Sequence, residues 1–446
     1  MKRKITNEEL KQLLLHGSED EIKAIITDIH PVVILDLIHE NEDSALALLA
    51  HLSDEVIADI VEEEDDEDKY ELLKLFSDVK QKHILEEMSN DEVTDLLGEL
   101  EDEEQQELLA KLSSEDRQDI KELMCYDEDS AGGLMTTEFI SIRAKNTVRQ
   151  TLEYLQRNTD GETAYYLYVT DRQNVLKGVV SLRDIVSSTF DTNMLEITNP
   201  NVISVRYDED QEAVWKQFEK YGFVMMPVVD EENHMLGIIT VDDIMDVIQE
   251  ETTEDINRLG QVGKEERIDS QLFESLKSRL PWLVINLFTA VMAAAVISLF
   301  EGTISQVVSL ATIMPIVTGM GGNAGTQSLT IVVRGLSLGE LTKENAVSIL
   351  AKEVGVGLFS GIVIGVLIAI GAMLFERNPM FGLVTGVAMF LNMILANIAG
   401  YFIPVLLEKC HVDPALASGV FVTTVTDVLG FLFFLGLATM ALPYLL

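Results

Sequence analysis

Read for its apolar positions, the chain changes character twice. Phe76, Met88, Leu100, Leu112 and Met124 recur every twelve residues, and the pairs Leu72-Leu73, Ile84-Leu85, Leu96-Leu97 and Leu108-Leu109 precede the first four. Twelve residues are too few for a helical hairpin, so this period predicts single short helices stacked into a superhelix, each burying one face. Ser89-Asn90-Asp91 and Ser113-Ser114-Glu115 read as helix caps between units. From residue 136 onward the repeat lengthens to 59 residues: Val169, Asp171, Gly178, Ser181 and Asp184 match Val228, Asp230, Gly237, Thr240 and Asp243. Each copy reads strand, turn, glycine, strand, then Ser/Thr-x-x-Asp at a helix start. There the hydroxyl caps exposed amides and the carboxylate suits the positive helix end.

Past residue 276 the pattern becomes long apolar runs. Candidate spans cover 281–300, 304–333, 354–375, 381–407 and 415–446, each at or above the roughly 20 residues that cross a bilayer. The expected architecture is multidomain. It comprises an all-α superhelical domain over 1–130, two α+β units over 131–198 and 199–252, a connecting helix over 253–276 that continues toward Leu280, and an all-α membrane domain over 277–446 with five transmembrane helices. Five spans put the termini on opposite sides of a cell membrane. Lys277, Arg279, Arg334, Lys343, Lys352, Lys409 and His411 flank alternate spans, so the positive-inside rule predicts a cytoplasmic N-terminal region and a C-terminus outside. Met1-Lys2-Arg3-Lys4 leads into polar, acidic sequence, so no cleavable signal peptide is expected.

Charge sharpens this division. Residues 1–275 hold 67 Asp and Glu against 25 Lys and Arg, a net of −42, whereas 276–446 hold 8 against 7. So negative a region repels nucleic acid and anionic headgroups, and cations are its natural partners. Cys125 and Cys410 are the only cysteines, which supports neither a disulfide framework nor a thiolate metal site.

Candidate chemistry begins with the one charged side chain in 415–446, Asp427. A lone carboxylate at membrane depth is expensive unless it faces water or a cation. Thr423, Thr424 and Asp427 can share one side of a helix and form an oxygen-rich strip; a protonated Asp bonded to a neighbouring helix is the competing reading. Mg²⁺ dehydrates reluctantly and is held by one or two carboxylates through retained waters, which suits one Asp per chain, doubled at a twofold axis. The second span is interrupted by Pro315-Ile316-Val317-Thr318-Gly319-Met320-Gly321-Gly322-Asn323-Ala324-Gly325-Thr326-Gln327-Ser328. This predicts loosely wound backbone lining water or protein, with close helix packing through glycine as the alternative. Asn392 and Asn397 read equally as interhelical hydrogen-bond donors or pore groups.

On the acidic side, Asp91 and Asp95 are neighbours on a helix face, and the run Glu62-Glu63-Glu64-Asp65-Asp66-Glu67-Asp68 reads first as a solvated segment. Asp242-Asp243-x-x-Asp246 leads to Glu250-Glu251-x-x-Glu254-Asp255. Like charges three and four apart repel unless a cation intervenes, so this stretch reads as a cation-controlled lever or as an acidic linker.

The segments Gly178-Val179-Val180-Ser181-Leu182-Arg183-Asp184 and Gly237-Ile238-Ile239-Thr240-Val241-Asp242-Asp243 resemble a tandem CBS pair. Such pairs are regulatory, and many bind adenine nucleotides at these positions, which implies Ser181, Asp184, Thr240 and Asp243 as an ATP site. Acidic helical repeats ending in Tyr126-Asp127-Glu128-Asp129-Ser130-Ala131-Gly132-Gly133-Leu134-Met135-Thr136, the CBS pair, a connecting helix, the glycine-rich span and Thr423 to Asp427 together resemble the MgtE family of magnesium channels, over nearly the whole chain. The resemblance implies a homodimer in the lipid bilayer, with a pore on the twofold axis and Asp427 at the ion-selective site. Asn323 and Gly325 fall in the same membrane motif and, with Thr423 and Thr424, complete the expected pore set. It also implies that cytosolic Mg²⁺ closes the pore through Asp91, Asp95, Asp210, Glu212, Asp243, Asp246, Glu251, Glu254 and Asp255. Gly222 stands where some members carry an acid.

The expected function is a Mg²⁺-selective channel under negative feedback, and not an enzyme: the spans hold neither an activated nucleophile nor a metal-ligand His pair. The alternative is a proton-coupled transporter of Mg²⁺, Co²⁺ or Mn²⁺ in which Asp427 cycles between protonated and ion-bound forms.

Overall fold

The structure, a computed structural model, describes residues 5–114, 116–157, 165–264, 266–268 and 270–446. Glu115 and the basic N-terminal residues 2–4 lie outside them. The chain divides into two compact units, Met1–Ile248 and Gln249–Leu446.

The first unit begins with short α-helices: α1 (Asn7–His16), α2 (Glu19–Ile26), α3 (Pro31–His39), α4 (Ala45–Leu49), α5 (Asp54–Glu62), α6 (Asp66–Leu73), α7 (Asp78–Glu87), α8 (Asn90–Gly98), α9 (Asp102–Lys111) and α10 (Asp116–Leu123). Helices α5 to α9 start at 54, 66, 78, 90 and 102, the twelve-residue step of the sequence. Each turns the same face inward. Ile57, Ile60, Val61, Leu73, Ile84, Leu85, Val93, Leu96 and Leu97 join one continuous core, and no single helix of eight to ten residues would be stable without that burial.

The 59-residue repeat folds as two matching three-stranded sheets. β1 (Ser141–Arg143) runs parallel to β2 (Tyr166–Thr170), which pairs antiparallel with β3 (Leu176–Ser181). β4 (Val205–Arg206), β5 (Met225–Val229) and β6 (Met235–Thr240) repeat that order, with the same bulge beside Val169 and beside Val228. The copies reciprocate at their turns: Leu176 donates its amide to Asn233 O and Met235 donates to Asn174 O. Helices α11 (Val148–Leu155), α12 (Leu182–Ser187), α13 (Met194–Ile197) and α14 (Gln211–Tyr221) flank the sheets, and α15 (Val241–Leu259) leaves β6. The connecting helix differs from expectation. It ends at Leu259 and is followed by Gly260 and Gly263, with Asn257 Nδ2 bonded to Lys264 O across the turn. A new helix then starts behind a Gln271–Glu274 capping box.

The second unit contains α16 (Leu272–Leu299), α17 (Glu301–Gln306), α18 (Ser309–Ser337), α19 (Ala346–Glu376), α20 (Pro379–Lys409), α21 (Pro414–Met440) and α22 (Leu442–Leu445). Among the described residues, four helical segments are long and apolar enough to cross a membrane: Leu272–Leu299, Ala346–Glu376, Pro379–Lys409 and Gly419–Met440. With 29 residues, α18 has comparable length, about 43 Å at 1.5 Å per residue, but its glycines and polar side chains dilute its hydropathy. Helix α20 is central and packs on α18, α19 and α21. The expected interruption is absent: α18 stays helical from Pro315 through Ser328. Its glycines serve close approach instead. A β-carbon at Gly400 of α20 would lie 2.6 Å from Gly325 O, and one at Gly325 would lie 2.5 Å from Val422 Cγ1 of α21.

Candidate functional site

On α21, Val422, Thr426, Gly430, Phe434 and Ala438 are buried four residues apart and form the packed stripe. Thr423, Thr424 and Asp427 lie beside it, half-buried. Both threonine hydroxyls donate to backbone one turn back, Thr423 to Gly419 O at 2.9 Å and Thr424 to Val420 O at 2.6 Å, so their lone pairs stay open. Among the described residues Asp427 has no hydrogen-bond or ion-pair partner, which leaves its carboxylate free for a ligand from outside the chain.

On α18 the glycine-rich motif separates into two faces. Gly321, Ala324, Gly325 and Ser328 are buried, whereas Asn323, Thr326, Gln327 and Thr330 are exposed at helical spacing. A polar stripe on an exposed membrane helix does not suit lipid contact. Asn392 and Asn397 are both interior. Asn392 Nδ2 donates to Val317 O of α18 at 2.9 Å, and Asn397 Nδ2 to Met393 O of its own helix at 2.9 Å. The alternatives left open by their spacing thus resolve to packing groups. No sequence motif marks Glu353, a carboxylate 3% exposed on α19 that accepts from Ser328 Oγ at 2.8 Å and pairs with Lys352 at 3.1 Å.

In the first unit, tertiary packing gathers two acidic groups. Around Asp91 stand Glu62, Glu138 and Asp243, each of which feels the Asp91 charge. Ser89 occupies the N-cap of α8 as expected, yet its amide donates to Glu62 Oε1 at 2.6 Å. Desolvation, reinforced by the Asp91 charge, pushes Glu138 and Asp243 up to about 7; Thr240 partly offsets it for Asp243. Burial also raises Asp91, whose Oδ1 is sealed from solvent without a protein partner.

The second group encloses a cation. Lys69, 3% exposed, pairs with Asp66 and Glu92. Burial alone would lower its pKa, but the Glu92 and Asp66 charges outweigh that and raise it. Desolvation pushes Glu92 up to about 7 despite Lys69. Asp95 keeps one side in solvent; crowding by protein, then the Asp66 and Glu92 charges, lifts it well above the carboxylate range. Asp246 rises by desolvation and by Asp66.

Asp91, Asp95, Asp243 and Asp246 are therefore brought into this region, whereas Asp210 and Glu212 are used locally: Asp210 caps α14 by accepting from Glu212 N, and Glu212 pairs with Lys216 at 2.8 Å. Glu62, Asp66, Lys69, Glu92 and Glu138 complete it. Lys69 had one sequence signal, as the lone cation closing the run 62–68. Among the described residues, no three acidic, His or Cys side chains converge into a ready-made metal cage. The all-oxygen donors and the orphaned Asp91 oxygen nevertheless fit a hard divalent ion.

Gly222 ends α14 with φ +65°, and nothing lies within 4 Å of where its β-carbon would be. At the far end of α15, Glu251, Glu254 and Asp255 are half-buried. The Arg258 guanidinium pairs with both Glu254 and Asp413, the N-cap of α21. Leu259 packs with Leu329, Val333, Ala415 and Val422, so the end of α15 docks on the helix that carries Asp427. In the CBS-like repeats, Ser181 Oγ donates to Asp184 Oδ2 at 2.5 Å and Thr240 Oγ1 to Asp243 Oδ2 at 2.7 Å, the same hydroxyl–carboxylate bond in both copies; Ser181 Oγ also caps α12 by accepting from Asp184 N, whereas Thr240 donates its amide to Asp243 Oδ2.

Comparison with known proteins matches the same three regions. Residues 29–129 match the MgtE intracellular N domain, 131–190 and 195–250 the CBS domain, and 314–437 the MgtE divalent cation transporter domain. The chain is 42% identical to the magnesium transporter MgtE of Enterococcus faecalis over 73% of its own length and 72% of that protein. It is 40% identical to that of Thermus thermophilus, covering 72% of each. Among solved structures it is similar to the soluble part of a magnesium transporter (TM-score 0.52, 37% identity, 55% of this chain and 97% of that one). It is also similar to the cytosolic domain of the Mg²⁺ channel MgtE in complex with ATP (TM-score 0.51, 37% identity, 54% and 100%). With its helical repeats, paired CBS sheets and polar-striped membrane helices matched in one order, the chain belongs to the MgtE family of magnesium transporters.

Proposed function

We propose that the protein is a Mg²⁺-selective channel, a homodimer whose ion path runs beside α18 and α21 and is closed by cytosolic Mg²⁺. The observation that carries this reading is Asp427, a carboxylate on an apolar helix with no partner among the described residues, beside two threonine oxygens. A hydrated Mg²⁺ needs few direct ligands, and two Asp427 carboxylates across a twofold axis would attract it without stripping its waters. The exposed stripe of Asn323, Thr326, Gln327 and Thr330 supports a water-lined or partner-covered face, with Gly325 letting α18 approach α21.

Control is assigned to the acidic groups. Asp91 with Glu62, Glu138 and Asp243, and Asp95 with Asp246, Asp66 and Glu92, would hold Mg²⁺ on the cytosolic side. Glu251, Glu254 and Asp255 at the end of α15 would sense it beside α21, while Asp210 and Glu212 contribute through the CBS-like repeats. Mg²⁺ here lowers the repulsion among ionised carboxylates. Moving a lever from 1:99 to 99:1 takes about 5.5 kcal/mol. One site at 100 times its Kd supplies about 2.7 kcal/mol. At least two sites must therefore act together. ATP bound near Ser181, Asp184, Thr240 and Asp243 would share Asp243 with the Mg²⁺ group; titrating ATP into the protein with and without Mg²⁺ tests that coupling.

Mg²⁺ influx into liposomes at equal pH on both sides tests the reading. Wild type should conduct and Asp427→Asn should not. Flux that appears only with a pH gradient would favour the proton-coupled transporter of Mg²⁺, Co²⁺ or Mn²⁺ instead.

A further inference from the structure

Asn392 stands where α18, α20 and α21 meet. It is fully buried on α20, and its Nδ2 donates to Val317 O of α18 at 2.9 Å. Its Oδ1 is also buried and has no hydrogen-bond partner. A β-carbon at Gly321 of α18 would overlap the amide, and one at Gly430 of α21 would lie 3.0 Å from Nδ2 and 3.1 Å from Oδ1. The side chain is therefore wedged between two glycines on two different helices, with its orientation pinned by the Val317 carbonyl. The amide carries a cost as well as a bond, since its buried Oδ1 finds no donor among the described residues. Leu has the same number of side-chain heavy atoms and would leave no acceptor unpaired, but its methyl in place of Nδ2 would press on Val317 O, which only a donor can approach to 2.9 Å.

Gly430 lies three residues beyond Asp427 on the same uninterrupted helix. Whatever sets the distance of α21 from the Asn392 amide therefore sets the position of the Asp427 carboxylate as well. We propose that Asn392 is a positioning residue for ion selection: wedged between Gly321 and Gly430, it fixes the depth and rotation of α21 and thereby places Asp427 for a hydrated Mg²⁺. This rests on the reading of Asp427 as a group in the ion path. The spacing matters because Mg²⁺ keeps its water shell while Ca²⁺ accepts more numerous, looser oxygen ligands, so a displaced carboxylate loses discrimination before it loses attraction.

The test uses the full chain in liposomes, reading Mg²⁺ influx and its competition by Ca²⁺, alongside the melting temperature in detergent. Asn392→Leu should assemble with one cooperative melting transition yet lose at least fivefold of its preference for Mg²⁺ over Ca²⁺. Gly430→Ala, whose methyl pushes on the same amide, should shift the preference in the same direction. The double variant Gly430→Ala/Asn392→Ala should recover part of it, because the methyl then has room. Gly430→Ala carries the test should Asn392→Leu fail to assemble. A preference within twofold of wild type in both single variants, with Asp427→Asn inactive, overturns the role of Asn392 and leaves the pore assignment standing. Wild-type flux and preference in Asp427→Asn overturn the pore assignment, and the positioning role with it.

Discussion

Replacing Lys69 by methionine removes the one cation buried among Asp66, Glu92, Asp95 and Asp246 while keeping a side chain of similar length. The Lys69 side chain is 4% exposed, but Asp66 and Glu92 keep 44% and 28% of theirs. Breaking a buried pair costs about 3–5 kcal/mol, and with two partly solvated partners the lower end applies. The Mg²⁺-free protein should therefore be destabilised by roughly 3 kcal/mol. The same change removes a charge that repels an incoming divalent ion. At about 5 Å in a water-like dielectric, that repulsion is about 1.7 kcal/mol, and it grows as the dielectric falls. Mg²⁺ affinity at this group should then rise by at least tenfold. Protease protection of the full-length protein across a Mg²⁺ titration reads both effects: Lys69→Met should be cut faster without Mg²⁺ and protected at tenfold lower Mg²⁺. A protection midpoint that stays put or moves to higher Mg²⁺ refutes the view that Lys69 occupies a divalent-binding position.

Three other outcomes are expected. Glu92, Glu138 and Asp243 are raised to about 7 in the folded protein, against about 4 in an unfolded chain. As pH climbs from about 4 to 7 the unfolded state releases protons first, so Mg²⁺-free stability falls across that window and levels off above it. Unfolding at pH 5.5 and 7.5 measures this, and added Mg²⁺ should restore more stability at 7.5. Arg258→Gln removes the guanidinium that joins Glu254 of α15 to Asp413 at the start of α21, so influx should resist inhibition by high internal Mg²⁺; unchanged inhibition would remove Arg258 from gating. Gly222→Ala forces a β-carbon into the left-handed region at about 1–2 kcal/mol, whereas Gly222→Asp should cost less because Asp tolerates that conformation. Comparing the two melting temperatures separates backbone strain from any gain in Mg²⁺ binding.

Most of the architecture was legible because it is periodic. The twelve-residue step located the start of each helix from Asp54 to Asp102, and the 59-residue offset located equivalent strands and the equivalent hydroxyl–carboxylate pair in both copies. Asp427 was legible because a charge in an apolar run stands out. The acidic groups were only half legible. Asp91, Asp95, Asp243 and Asp246 declared themselves by helical spacing, but Glu138 joins them through folding alone, and Glu62 and Lys69 show in the sequence only as the two ends of an acidic run. The glycine-rich stretch of α18 misled for a related reason. Glycine weakens an isolated helix, but Gly321 and Gly325 serve the approach of α20 and α21, and that packing holds α18 helical through Pro315. The break after Leu259 was hidden because the charge pattern of α15 runs on past Gly260.

The proposed pore selects through Asp427 and closes when cytosolic Mg²⁺ rises. Electrical recording from the purified full-length protein in a planar bilayer, at equal pH on both sides, tests it most directly. Discrete Mg²⁺ currents should appear and vanish as Mg²⁺ on the N-terminal side is raised to about 10 mM, well above the 0.1–1 mM range of weak divalent sites, and Asp427→Asn should give none. Wild-type currents from Asp427→Asn, or currents indifferent to Mg²⁺ on the N-terminal side, would contradict it.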